Sequence, residues 1–391
     1  MKSNIYSNSP YKNKKILVLE GYARQVLPFV REFKKFGCEV TVLCNSKLDC
    51  AYSSRLPDHK ILGICDVHRP KESEQYIIKL IKSGNYDLVV PMVDFTAGIL
   101  AKHKKELLQN AQIATNDKEI YEIIDDKLSV MKLCTDNFIP CPKTLFGVES
   151  VDEILKSNLQ FPIVIKPRNG FGSKGFNRIE TGEDLQMFAK NKNIHLPSMV
   201  VQECIPENSV VVTENMFIDN DGVIKSQFTY TCAHIFPLKG GTGTYNFSSD
   251  NEVVHKECAK LARVSGVKGC IGVDLIIDSR DGVPKVLEIN PRICAGAEIG
   301  ILAGVNQPHQ LLEKEFGNCV TEYMKYKSNI KVRMLQTDML WFLKSPNRFK
   351  AKPSFFKLAH EQIFYWDDPL PWFSFLIRGL KNYRQEMKDR S

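Results

Sequence analysis

The sequence predicts an α/β (α+β) protein that opens with a Rossmann-like, doubly wound domain and runs on into a second region of mixed strands and helices. Three observations carry this. Residues 15–43 read as apolar run, helical pattern and second apolar run, which is a βαβ unit. Helical and strand patterns keep alternating to about residue 91. Much later, two apolar strands flank Arg280-Asp281-Gly282 as a hairpin with Asp-Gly at its tip.

Taken in order, residues 15–19 (KILVL) have the form of a strand buried on both faces. Val26, Phe29, Val30 and Phe33 recur at helical spacing, and Gly37 stands where a helix C-terminal glycine belongs. Residues 39–43 are a second strand, 74–81 a helix and 86–91 a further strand. The turn after the first strand, Glu20-Gly21-Tyr22-Ala23-Arg24, has no GxGxxG, so a dinucleotide fingerprint is missing. Two short helices follow from Asp117, the second starting near Asp125-Asp126-Lys127, and residues 137–142 break the pattern. Residues 161–167 and 200–203 are strands, with the glycine-rich loop 168–175 (RNGFGSKG) after the first. Hairpin pieces surround Asp221-Gly222, residues 252–265 are a helix, and 272–278 and 285–292 form the last hairpin.

Composition narrows the classes. A chain of 391 residues with 43% apolar and 25% charged side chains buries a core, in two or three domains, and is neither disordered nor low-complexity. It has no internal repeat and no run near the roughly 20 apolar residues of a membrane span. The first residues are polar with no apolar signal core, so a cytoplasmic protein is expected. Twelve scattered cysteines without a CxxC are expected as buried, reduced thiols. Residues 331–391 hold 12 basic and 6 acidic side chains and all three tryptophans. The rest is nearly balanced, which argues against nucleic-acid binding.

The last hairpin is the most informative segment. Glu288 and Asn290 are two apart on one strand and share a face. If Asp274 on the partner strand faces the same way, three oxygen ligands gather for a hard cation such as magnesium. Arg292, two further on, reaches for a phosphate. An exposed polar strand end is the plainer alternative. In the loop 168–175, Gly170, Gly172 and Gly175 let backbone N–H groups approach phosphates, while Lys166 and Lys174 balance charge beside Ser173. It is not a Walker A motif, and a solvated surface hairpin is the alternative. Lys127 follows two aspartates able to cap a helix, and residues 239–245 (KGGTGTY) read as a second glycine-rich loop, either a substrate-side lid or a plain long turn.

Together and in this order these segments resemble the ATP-grasp superfamily: Asp126-Lys127, PIVIKP at 162–167, RNGFGSKG, VQECIP at 201–206, GVDLIID at 272–278 and LEINPR at 287–292. The likeness spans roughly residues 14–325 and is nearest the carbamoyl-phosphate-synthase-like carboxylate–amine ligases, with pyrrolysine-biosynthesis and D-aspartate ligases in the same neighbourhood. It implies a preATP-grasp domain over 14–110 after a leader (1–13). A two-lobed ATP-grasp fold follows over 111–325, with a lid subdomain at about 130–205, and 326–391 is an extension. It implies ATP as cosubstrate with one or two magnesium ions, manganese being able to replace them. Lys127 and Lys166 would hold phosphates, and Gly170, Gly172, Ser173, Lys174 and Gly175 would cover them. Glu203 and the backbone of Cys204 would read adenine, and Glu207 would meet the ribose. Asp274, Glu288 and Asn290 would bind metal. Arg292 would hold the transferred phosphoryl group, and Lys239 joins it as a catalytic candidate on the substrate-side loop.

The implied reaction joins a carboxylate, an amino acid among the candidates, to an amine through an acylphosphate, releasing ADP and phosphate. Carboxylase- or kinase-like chemistry and a silent nucleotide-binding regulator are the alternatives. A homodimer is expected. His309 reads as structural. The aromatic, basic tail either packs on the core or on a partner subunit, the favoured reading, or lies on an anionic membrane.

Overall fold

Residues 9–170, 175–192, 194–238 and 240–388 are described by a computed structural model. The first sheet has five parallel strands: β1 (Lys15–Val18), β2 (Glu39–Cys44), β3 (His59–Leu62), β4 (Leu88–Val90) and β5 (Gln112–Ile113), in the order β3-β2-β1-β4-β5. Helices α1 (Val26–Lys35), α2 (Cys50–Ser53), α3 (Pro70–Ser83) and α4 (Asp94–Leu107) connect them. The apolar face of α1, Val26, Phe29, Val30 and Phe33, is buried as its spacing predicts, and Gly37 ends it at φ 79°. The sheet order reverses between β1 and β4, so a crevice opens at the C-terminal ends of those strands.

Helices α5 (Lys118–Asp125) and α6 (Lys127–Asp136) lead out of this sheet. Asp126 caps α6 by accepting the Leu128 N–H at 3.1 Å, leaving Lys127 as the first helical residue. A four-stranded antiparallel sheet follows, ordered β6-β9-β7-β8. Its strands are β6 (Thr144–Leu145), β7 (Ile163–Pro167), β8 (Asn177–Ile179) and β9 (Met199–Glu203), with α7 (Val151–Lys156) and α8 (Gly182–Lys192) packed against it.

The largest sheet has seven strands in the order β14-β13-β10-β11-β12-β15-β16. They are β10 (Val210–Ile218), β11 (Ile224–Phe236), β12 (Thr242–Ser249), β13 (Gly269–Ile277), β14 (Pro284–Asn290), β15 (Lys331–Arg333) and β16 (His360–Glu361). The helices of this part are α9 (Glu252–Ser265), α10 (Ala297–Ala303), α11 (Gln307–Glu315), α12 (Leu335–Lys344) and α13 (Leu370–Lys388). Val212, Met216, Ile271, Val273, Leu275 and Ile289 put their side chains on one face and pack on α6 and α9. Alternation therefore turns Thr213 and Asp274 to the other face. The register slips between Asp274 and Leu275, whose partners are Glu288 and Val286, so Leu287 is an extra residue. This bulge lets Val286 point into the core while Glu288 turns out beside Asp274.

One expectation is corrected here. Residues 242–245 are not loop: they open β12, hydrogen-bonded to β11 and, from Tyr245, to β15. Thr242, Thr244 and Tyr245 are strand formers that outweigh the alternating glycines once a sheet edge is available. All twelve cysteines are unpaired and seven are buried. Among the described residues no helix is long and apolar enough to cross a membrane. The tail divides: Trp341 stacks on His234 with ring centres 3.5 Å apart and Trp372 packs beside Leu27 and Ile363, whereas Trp366 is exposed. His309 stacks flat on Phe36 at 4.5 Å, a packing role.

Candidate active site

Asp274 and Glu288 face each other across β13 and β14, two carboxylates side by side. Burial raises the pKa of Asp274 to about 6, and the charge of Glu288 pushes the same way. Thr213 donates to Asp274 Oδ1 at 2.6 Å and Asn290 Nδ2 to Oδ2 at 3.0 Å, which holds the carboxylate still. Lys127 Nζ lies 3.1 Å from Glu288 Oε2 and donates to the Gly170 carbonyl at 2.6 Å. Lys166, on β7, is half-buried but hemmed in by protein. Desolvation lowers its pKa to about 8, Glu288 raising it and Lys127 lowering it further. One carboxylate pair and two lysines from four separate elements, β13, β14, α6 and β7, thus converge. Among the described residues no group of three His, Cys, Asp or Glu side chains gathers for a metal. The oxygen donors are two adjoining carboxylates, which suit a hard divalent cation, while the Asn290 amide beside them turns Nδ2 to Asp274 and Oδ1 to Arg292.

Arg292 is held by a residue the sequence reading missed. Asp94, at the start of α4, accepts from Nε at 3.1 Å and from Nη2 at 3.2 Å. Nη2 also donates to Asn290 Oδ1 at 2.9 Å and Nη1 to the Ile293 carbonyl at 3.3 Å. Four of its five N–H groups are engaged, so one remains for a ligand. The available signal was position: Asp94 lies just past the predicted strand 86–91, at the C-terminal edge of a parallel sheet.

The residues expected to read adenine and ribose have definite partners. The Glu203 carboxylate accepts the Lys143 N–H at 2.9 Å, Arg280 Nη2 at 2.8 Å and Lys285 Nζ at 3.1 Å. Burial raises its pKa, but these donors outweigh it and hold the group below the usual carboxylate range. Glu203 therefore clamps β9 to the β13–β14 hairpin, and its own N–H donates to the Lys143 carbonyl at 2.9 Å. The Cys204 thiol is half-buried. Glu207 is exposed and paired with Arg178 at 2.6 Å. Arg168 forms a forked pair with Asp126, fixing the entry of the glycine-rich loop on α6. Gly170 and Gly175 bound that segment at φ 119° and 72°, the left-handed region that favours glycine. Gly172, Ser173, Lys174 and the proposed catalytic Lys239 lie outside the described residues.

Residues 124–296 match the ATP-grasp domain family. The chain is similar to a D-aspartate ligase of Enterococcus faecium (strain Aus0004), 26% identical over 242 residues, covering 58% of this chain and 57% of the relative. It is similar to a carbamoyl-phosphate synthase of Methanobrevibacter smithii, 21% identical over 243 residues, covering 61% and 64%. The chain thus spans about three fifths of the length of the curated relatives it matches. Among solved structures it resembles the biotin carboxylase domain dimer of Hydrogenobacter thermophilus 2-oxoglutarate carboxylase, solved with MgADP and bicarbonate. That match has a TM-score of 0.69 at 15% identity over 81% of this chain and 73% of that one. The segment 124–296 thus matches an ATP-grasp domain, and the mixed α/β fold with its parallel first sheet agrees with the fold class that the motifs implied.

Proposed function

We propose that the protein is an ATP-dependent carboxylate–amine ligase. The observation that carries this is the meeting of Lys127, Lys166, Asp274 and Glu288 at one cleft between the sheets. Lys127 and Lys166 neutralise phosphate oxygens of ATP, and the backbone at 203–204 meets adenine. Asp274, Glu288 and Asn290 hold magnesium, which when bound supplies charge neutralisation at the phosphates. Phosphoryl transfer needs positioning and charge stabilisation more than a protein nucleophile. The substrate carboxylate attacks the γ-phosphorus and ADP leaves. The amine nitrogen then attacks the acyl carbon, phosphate leaves and the nitrogen loses a proton. Arg292, steadied by Asp94 and Asn290, directs its remaining N–H at the transferred group. The test is ADP and phosphate release with pooled amino acids and amines. Release confined to one pool, and lost in Lys166→Ala and Glu288→Ala, is the expected result. Release independent of every pool, or unchanged in both variants, overturns the reading.

A membrane contact is a second reading for the tail, favoured by one observation. Leu370, Phe373, Ile377 and Leu380 are exposed at helical spacing on α13, and Trp366 stands nearby in sequence, 91% exposed. The basic surplus of residues 331–391 suits an anionic lipid surface, and a symmetric contact between two copies would bring like charges together. Co-sedimentation with vesicles containing anionic lipid at low salt tests it. Binding lost in Phe373→Ser/Ile377→Ser supports it, and a protein left in the supernatant ends it.

A further inference from the structure

Arg24 follows β1 at the crevice where the order of the first sheet reverses, the place where open α/β sheets receive ligands. Its side chain crosses to the front face of the seven-stranded sheet, where Nη1 donates to the Gly243 carbonyl at 3.3 Å. Among the described residues this is its one hydrogen bond, and no carboxylate pairs with it. Burial lowers its pKa. Tyr230, Cys232 and Glu361 favour its charge, and neighbouring Arg292 opposes it. The charge of Arg292 is already matched by Asp94. A guanidinium drawn out of bulk water with no counter-ion is costly until an anion joins it.

A second side chain at the same corner is also unsatisfied. Asn246 is 4% exposed, stands opposite Cys232 on β12, and its Oδ1 has no partner. A side chain at 243 would come within 2.1 Å of that oxygen and 3.0 Å of Cys232 Sγ, so the glycine keeps the corner clear. The register sets Asp274, Thr213 and Tyr230 side by side, and Cys232 lies two residues beyond Tyr230. At a strand spacing of about 4.8 Å the corner lies on the order of 10–15 Å from Asp274. The Arg24 guanidinium, reaching toward Arg292, spans part of that gap.

We propose that Arg24, with Asn246 beside it, is the subsite for a carboxylate that is not itself activated, so that one substrate is an amino acid or a small dicarboxylic acid. This rests on the ligase reading of the adjoining cleft, but binding of the anion can be read without turnover. The test uses the full chain with MgADP, measuring thermal shift and calorimetric affinity. The probes are aspartate, glutamate and succinate, their amide counterparts, and inorganic phosphate with phosphoserine. The variants are Arg24→Gln, Arg24→Lys and Asn246→Ala.

The expected result is binding of at least one carboxylate probe, with the amide counterpart weaker. Arg24→Gln then loses about 30-fold or more in affinity, Arg24→Lys loses less, and MgADP affinity stays within about twofold. Retained MgADP affinity also certifies the fold of each variant; should Arg24→Gln lose it, Arg24→Lys and Asn246→Ala decide. Unchanged carboxylate binding in the variants, or no carboxylate binding in the wild type, overturns the proposal. Phosphate probes binding in place of carboxylates overturn it in favour of a phosphorylated substrate. Arg24-dependent binding without any ADP release sustains the subsite and strikes only the ligase reading.

Discussion

Glu20 holds φ 60°, a conformation that residues other than glycine seldom adopt, at a site 1% exposed. Its Oε2 accepts the N–H groups of Met92 and Val93 and the Thr96 hydroxyl, while Oε1 has no partner. These bonds tie β1 to the loop that carries Asp94. Burial raises its pKa to about 8, further than the three donors pull it down. The native chain therefore keeps a proton on Glu20 that the unfolded chain releases near its ordinary pKa of 4.5. The stability this proton contributes is complete below that value and is lost as pH rises to about 8, at a slope near 1.4 kcal/mol per pH unit. In Glu20→Gln the slope is absent, so melting curves between pH 5 and 9 should show the variant gaining on the wild type as pH rises. A constant difference would mean that Glu20 is ionised throughout. Other residues were readable by pattern, as with Lys127, Asp274 and Glu288, whose motifs carry them. Asp94, Arg24 and Thr213 were not, because each acts through a partner more than sixty residues away or on another strand.

At the scale of elements, the pattern located three of the five parallel strands, β1, β2 and β4, as continuous buried apolar runs, and α9, which buries one clear face; the short β3 and β5 gave no such run. It failed for β12, where glycines alternate with strand formers and the sheet decides, and for the C-terminal elements, whose aromatic cores are assembled from distant pieces. Helix α12 is one of these. Trp341, 5% exposed, lies flat on His234, whose Nδ1 pairs with Asp338 on α12 at 2.7 Å and whose Nε2 meets the Pro353 carbonyl at 2.9 Å. Asp338 also accepts the Thr244 hydroxyl at 3.0 Å, so the same cluster secures the start of β12. Trp341→Ala should cost about 3–5 kcal/mol in denaturant unfolding, from lost contacts and the cavity left behind. Hydrogen exchange should speed up in β12 as well as α12. Faster exchange in α12 alone would show that β12 is held by its strand partners and needs no support from the tail.

On the scale of the whole molecule, three sheets supply the site. The first gives Asp94 to Arg292, the four-stranded sheet gives Lys166, and the seven-stranded sheet gives Asp274 and Glu288, with Lys127 coming from α6. Asp94→Asn removes one partner of a mostly buried pair and leaves Arg292 short of a counter-charge, a loss of about 3 kcal/mol that should show as an earlier unfolding midpoint. The site sets like charges against each other, Lys127 near Lys166 and Asp274 beside Glu288, and among the described residues one ion pair, Lys127 with Glu288, joins the two sets. Nucleotide phosphates relieve the lysines and a divalent cation relieves the carboxylates, so each ligand makes the other easier to bind. MgADP at about 100 times its dissociation constant stabilises by about 2.7 kcal/mol, several degrees of melting temperature for a chain of this size. ADP with EDTA, or magnesium alone, should each give much less, and their two shifts should sum to less than the joint one. Glu288→Gln should abolish the magnesium-dependent part and keep the shift from ADP alone, because a neutral amide no longer needs a cation. Additive shifts would show that the carboxylates and the lysines serve separate ligands, and the electrostatic argument for a single cleft would fail with them.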